Sequence, residues 1–218
     1  MDINHGHGHD RTAGWVLAGL AAFMTAFLLW WLVRDPQEFV EVRLGVTPAL
    51  ADIPWVWAVA AAIAIAYAGY TVWNVPAVRE HVTTFSRLKL LGIWAAIVSG
   101  MLEEMVFRQL FMDWLDRSDT AAVTQIALSA IAFGIAHAAW IVLARDWSIG
   151  IPVIIATTIL GAMLATLYLL ADRSTLPAIA THTAINLVIE PWLIVGAIAG
   201  TWRAQAAPAD RRPSTAHD

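Results

Sequence analysis

Met101-Leu102-Glu103-Glu104-Met105-Val106-Phe107-Arg108 lies in a stretch, starting near Leu90, that otherwise has the apolar density of a membrane-spanning helix. A charged side chain near the bilayer centre costs roughly 2.5–3.5 kcal/mol even on lenient insertion scales. Two adjacent carboxylates and an arginine so close together therefore imply partners, water and chemistry that offset the cost.

The chain around this octapeptide is equally apolar. Of its 218 residues, 59% are hydrophobic and 14% charged, with twelve tryptophans. A soluble domain carries about 25% charged residues, so an all-α, polytopic integral membrane protein is expected. Cysteine is absent, which excludes disulfides, thiolate metal sites and a cysteine nucleophile. The net charge is −4 and the basic residues are scattered, so no nucleic-acid footprint is present.

About six transmembrane helices fit the apolar runs. The first covers Gly14 to Val33 and ends at Trp30-Trp31 and Arg34-Asp35-Pro36; the second runs from Pro54 to Trp73 among interfacial tryptophans. The third carries the glutamates. A fourth, Ala121 to Leu143, contains His137, and a fifth spans Ile151 to Leu170. The sixth, Ala178 to Gly200, contains His182, Asn186 and Glu190, with Pro191 predicting a kink or break. Residues 1–12 and 204–218 read as disordered tails around one membrane-embedded domain, 13–203. The N-terminal segment lacks a basic region and no A-x-A site follows the first apolar run, so no cleaved signal peptide is expected. His5, His7 and His9 read as a solvated tail rather than a metal site.

Lysine and arginine counts orient this arrangement. Arg11, Arg79, Arg87, Lys89, Arg145, Arg203, Arg211 and Arg212 fall on one side, and Arg34, Arg43, Arg117 and Arg173 on the other. Both termini are thereby expected in the cytoplasm.

Within the spans, Glu104 and Arg108 are spaced i,i+4 and share a helical face, where they can pair. Glu103 points elsewhere and is left for another task. A purely structural ion cluster is the rival reading, although structure alone rarely requires two adjacent buried acids. His137 lies 34 residues after Glu103, about halfway along the next antiparallel helix, which puts both at similar depth. His182 and Asn186 are again i,i+4 and can both donate to one oxygen. A carboxylate with a histidine can deprotonate water, while a histidine with a carboxamide can stabilise an oxyanion. Such a set requires a polar cavity shielded from lipid.

In order, these residues read E-E-x-x-x-R (Glu103 to Arg108), F-x-x-x-H (Phe133 to His137) and H-x-x-x-N (His182 to Asn186). The ordered triplet, over roughly Leu90 to Leu187, resembles the CPBP membrane proteases, the CAAX-protease and bacteriocin-processing (Abi) family. The resemblance implies an intramembrane endopeptidase in which Glu103, helped by His137, activates the attacking water. His182 and Asn186 would form the oxyanion hole, with Glu104 and Arg108 in support. It also implies a membrane-associated peptide or protein substrate at the lipid bilayer and, with so few and short loops, a prokaryotic cell-membrane setting. Gln109, where many members have glycine, is a small departure.

No cofactor is favoured. A zinc ion held by Glu103, His137 and His182 is the alternative, yet no H-E-x-x-H is present and a glutamate mechanism uses every matched residue without metal. Glu190 stands outside the motifs as a supporting or pH-tuning group. The rival functions are a proton- or cation-coupled transporter, against which the absence of a repeat counts, and a non-catalytic immunity or scaffold protein.

Overall fold

The computed structural model describes residues 3–139, 141 and 146–199, and every regular element among them is helical. The chain forms α1 (Ile3–Arg34), α2 (Trp55–Asn74), α3 (Arg87–Glu104), α4 (Ala122–Ala136), α5 (Trp147–Leu170), α6 (Leu176–Ile189) and α7 (Trp192–Ala199). The third span does not end with α3. It continues as a π-helix over Met105–Leu110 and an α-helix over Phe111–Asp116.

Four of these segments are long and apolar enough to cross a bilayer, and α6 with α7 adds a fifth if the bent pair counts as one span. Two of the six expected spans thus take another form. In the last span, Pro191 has no N–H to continue the ladder, and it holds the residue before it in extended backbone: Glu190 has φ −88 and ψ 145. The axis bends by 53° there.

Within the fourth expected span, Ala121 to Leu143, the described helix Ala122–Ala136 has a length of about 22 Å against the ~30 Å of a hydrocarbon core, and a turn at residues 137–138 interrupts it. Its last turn tightens at His137. The amide of Ala138 bonds to Ile135 O, and His137 Nδ1 binds Phe133 O at 2.8 Å, so the ring and the closing turn take the carbonyls that a continuing helix would use. The expected C-terminal tail, 204–218, lies outside the described residues, as do residues 142–145 at the end of the expected fourth span.

Packing is closest where side chains are smallest. Helices α3 and α6 run antiparallel: a Cβ at Gly92 would lie 2.8 Å from Pro191 Cδ, and one at Gly100 would lie 3.0 Å from the backbone nitrogen of Thr183. Only glycine permits that approach, and it brings the glutamates against His182. Helix α1 covers α3 through Ala13, Leu17, Ala21 and Leu28, which pack with Ala95, Val98 and Met105. A second apolar cluster joins Val56 of α2, Leu164 and Leu167 of α5, and Ile185 of α6. Outward-facing Trp15, Ile65, Trp73 and Val123 remain exposed, as side chains meeting lipid rather than water do.

Candidate active site

The π-helix begins one residue after Glu104. Such single-turn insertions occur often at functional sites, because they re-aim side chains and release a carbonyl from the ladder. Here Ser129 of α4 donates to Phe107 O at 2.9 Å and accepts from Arg108 Nη1 at 3.0 Å. Ser129 therefore ties the bulge to the neighbouring helix. Gln109 accepts from Arg43 Nη1 at 2.7 Å, so the short π-helix Phe39–Arg43 after α1 braces the same turn; a glycine at position 109 could not.

Arg108 and Glu104 are both fully buried, with Arg108 Nε 2.9 Å from Glu104 Oε2. The other carboxylate oxygen, Oε1, lies 2.9 Å from His182 Nδ1. Glu104 thus joins α3 to α6, and a continuous chain runs from Ser129 through Arg108 and Glu104 to His182. A buried pair of charges is tolerated only when its remaining valences are met, and His182 with Ser129 meets several of them.

Glu103, the neighbouring residue, faces the other way. Its Oε2 is 3.8 Å from His137 Nε2, both side chains are about one-fifth exposed, and that oxygen has no hydrogen-bond partner. Phe133 separates the two systems. Its ring lies 4.5 Å from His137 and 5.6 Å, edge on, from His182, with the Arg108 guanidinium 4.8 Å above it. The Asn186 carboxamide donates to Ser99 Oγ at 3.2 Å.

Glu103, His137, His182 and Asn186 all line one cavity of about 1050 Å³. The cavity runs between α1, α2, α3, α5, α6 and α7 and is mostly apolar beyond this polar cluster. Its far end is edged by Thr12, Asn74, Ser148 and Glu190, on the side where α1, α3 and α5 begin. Every residue singled out in the three motifs is therefore brought to one place. Ser99 and Ser129, which the sequence offers only as serines without a nucleophilic context, enter as partners of Asn186 and Arg108.

Residues 85–188 match the family model described as type II CAAX prenyl endopeptidase Rce1-like. Over this stretch, just under half of the chain, the sequence matches the CAAX-protease (CPBP) family. Comparison with curated proteins and with solved structures gives no match. The matched span includes all three motifs and ends at Val188, just before Glu190. The match and the apolar helices support an integral membrane protein and an intramembrane endopeptidase acting on membrane-associated peptide. Neither the transporter nor the scaffold reading receives support from the comparison.

The residues fit a tightly held metal poorly. Zinc takes three or four His, Cys or carboxylate ligands around one point. Among the described residues no three such groups are placed to do so. Glu103 and His137 form a facing pair, while Glu104 is committed to Arg108 and to Nδ1 of His182.

Proposed function

We propose that the protein hydrolyses a peptide bond of a membrane-associated protein or peptide with water activated by Glu103. The observation that carries this reading is the free Glu103 Oε2, 3.8 Å from His137 Nε2 at the wall of a cavity that His182 and Asn186 also line. A water molecule between the two groups donates one proton to the carboxylate, while His137 orients it. The resulting hydroxide attacks the carbonyl carbon, and negative charge develops on the carbonyl oxygen. Asn186 Nδ2 donates to that oxyanion. So does Nε2 of His182, when its ring carries both protons and the Glu104 carboxylate balances its charge. Glu103 then delivers its proton to the departing amine nitrogen as the C–N bond breaks, leaving a new carboxylate and a new amine.

The buried Ser129–Arg108–Glu104–His182 chain acts as the scaffold of this reaction. It fixes His182 before substrate arrives, so little reorganisation accompanies the transition state. The mostly apolar cavity suits a substrate that arrives from the bilayer. Arg11, Arg79 and Arg87 are close in sequence to Thr12, Asn74 and other residues of its far end, and the positive-inside count supports an entrance, and both termini, on the cytoplasmic side of a prokaryotic membrane.

Purified protein in phosphatidylcholine vesicles, given bilayer-anchored peptides with and without a strong chelator, tests this reading. Cleavage that persists in chelator and disappears in Glu103→Gln is expected. Cleavage lost to chelator and restored by zinc would replace the glutamate mechanism with a metal-dependent one.

A further inference from the structure

Glu190 lies outside the matched span and takes no part in the chemistry above. Glu190 nevertheless lines the same cavity, and its Oε2 is buried without a hydrogen-bond partner among the described residues. The cation near it is occupied elsewhere. Lys89 Nζ donates at 2.6 Å to Leu187 O and at 2.6 Å to Glu190 O, the backbone carbonyls at the broken end of α6. Lysine thus caps the helix terminus through backbone carbonyls rather than through the Glu190 carboxylate. Among the described residues nothing donates a hydrogen bond to its Oε2. A carboxylate in a mostly apolar cavity is costly without a partner, so a partner of opposite charge gains more there than at a wet surface.

We infer that Glu190 is a specificity-determining residue that binds a cationic side chain of the substrate, lysine or arginine, a short distance along the chain from the scissile bond. This rests on the proposed peptidase function. The distance follows from helix geometry. Glu190 is four residues past Asn186 and eight past His182, or about 6 and 12 Å along the axis at 1.5 Å per residue. An extended peptide advances about 3.3–3.6 Å per residue, so the cation sits about two to four residues from the cleaved bond. The substrate accordingly enters with a basic residue near the surface end of the cavity and an apolar stretch across its walls.

The test uses bilayer-anchored peptides of one sequence in phosphatidylcholine vesicles, with lysine, norleucine or glutamate placed two, three or four residues from the cleaved bond. At one position wild-type protein is expected to favour lysine over norleucine by about tenfold in kcat/KM, the scale of one charge-assisted hydrogen bond. Glu190→Gln brings that ratio close to one, and Glu190→Lys turns the preference toward glutamate. A ratio unaltered in Glu190→Gln overturns the inference while leaving the peptidase reading intact.

Binding of the lysine and norleucine peptides to Glu103→Gln protein, with and without Glu190→Gln, gives the same comparison without turnover. Absence of cleavage by the wild type therefore removes the peptidase reading, whereas equal binding of the two peptides removes the role of Glu190. If Glu190→Gln does not fold, Glu190→Asp serves. Its retracted carboxylate should lower the lysine preference, and an undiminished preference again overturns the inference.

Discussion

Two polar networks hang from the same third span, Arg87–Asp116, and they are built differently. Near its end, Asp113 accepts from Tyr168 and from Arg173 Nη1, both at 2.8 Å. Asp116 accepts from Arg173 Nη2 at 2.5 Å and from Gln125 at 3.0 Å, and Gln125 Oε1 in turn accepts from Arg173 at 2.8 Å. Each charge there meets several partners. Two turns earlier, at the glutamates, the two acids differ: Glu104 is engaged by the Arg108 ion pair and by His182, whereas Glu103 Oε2 has no hydrogen-bond partner among the described residues and only His137 near it. A network whose task is to join α3, α4 and α5 satisfies its groups. On the proposed function, the network at the glutamates keeps one group unsatisfied for chemistry and spends its hydrogen bonds on fixing the neighbours.

The sharpest way to break this contrast is Glu103→Gln, which preserves volume and removes the base. Cleavage of a bilayer-anchored peptide should fall by about 10²–10⁴, the range of general-base catalysis, while the thermal midpoint in detergent stays near that of the wild type. A large loss of stability with unchanged turnover would make Glu103 a structural acid like Asp113.

Next in size is Arg108→Ala. It leaves the fully buried Glu104 without its cation, and breaking a buried pair from one side costs about 3–5 kcal/mol. The protein should melt at lower temperature and lose activity together, which denaturation in mixed micelles alongside a cleavage assay would show. Glu104→Gln should be milder in stability than Arg108→Ala if His182 retains a carbonyl acceptor there.

How far the sequence discloses these networks depends on the range of each contact. The Glu104–Arg108 pair is local, four residues apart on one helix, and can be read from spacing alone. The meeting of Glu103 with His137 follows from counting residues across one turn, since consecutive antiparallel helices match depth. The bond from Glu104 to His182 is different. It joins residues 78 apart, and it depends on how closely α3 and α6 approach at Gly100, which periodicity does not specify. The short α4 escapes an apolar-run reading for a related reason: Ala136 and the residues after it remain apolar, but the ring of His137 bonds back to Phe133 O and closes the turn. The π-helix at Met105–Leu110 likewise has no signature in composition, and its partner Ser129 becomes meaningful only when α4 is seen against it. Hydrophobicity thus discloses four of the spans and the motif spacing discloses which residues meet, while the interruptions between them arise from packing.

Asn186→Ala probes the catalytic network from its substrate side. Its carboxamide touches Ser99 and otherwise borders the cavity, so its loss should do little to folding. Removal of one oxyanion donor costs about 10²–10³ in kcat. The expected result is a reduced kcat at nearly unchanged KM, measured on the peptide that wild-type protein cleaves best. An effect confined to KM would instead make Asn186 a ground-state binding group.

The smallest expected effect belongs to the saturated network. Tyr168→Phe removes one O–H donor from Asp113, but Arg173 remains on the same oxygen at 2.8 Å, so the acceptor is not stranded. A net loss of about 1 kcal/mol is expected, read as a small drop in midpoint in the same micelle titration. Turnover should not change, because neither Asp113 nor Tyr168 borders the catalytic cavity. The comparison becomes quantitative when this variant is combined with Glu103→Gln. Independent networks give additive changes in stability to within about 0.5 kcal/mol. A larger coupling would mean that the π-helix between Glu104 and Asp113 transmits strain from one network to the other, and the saturated end of the span would then share in holding the open end ready.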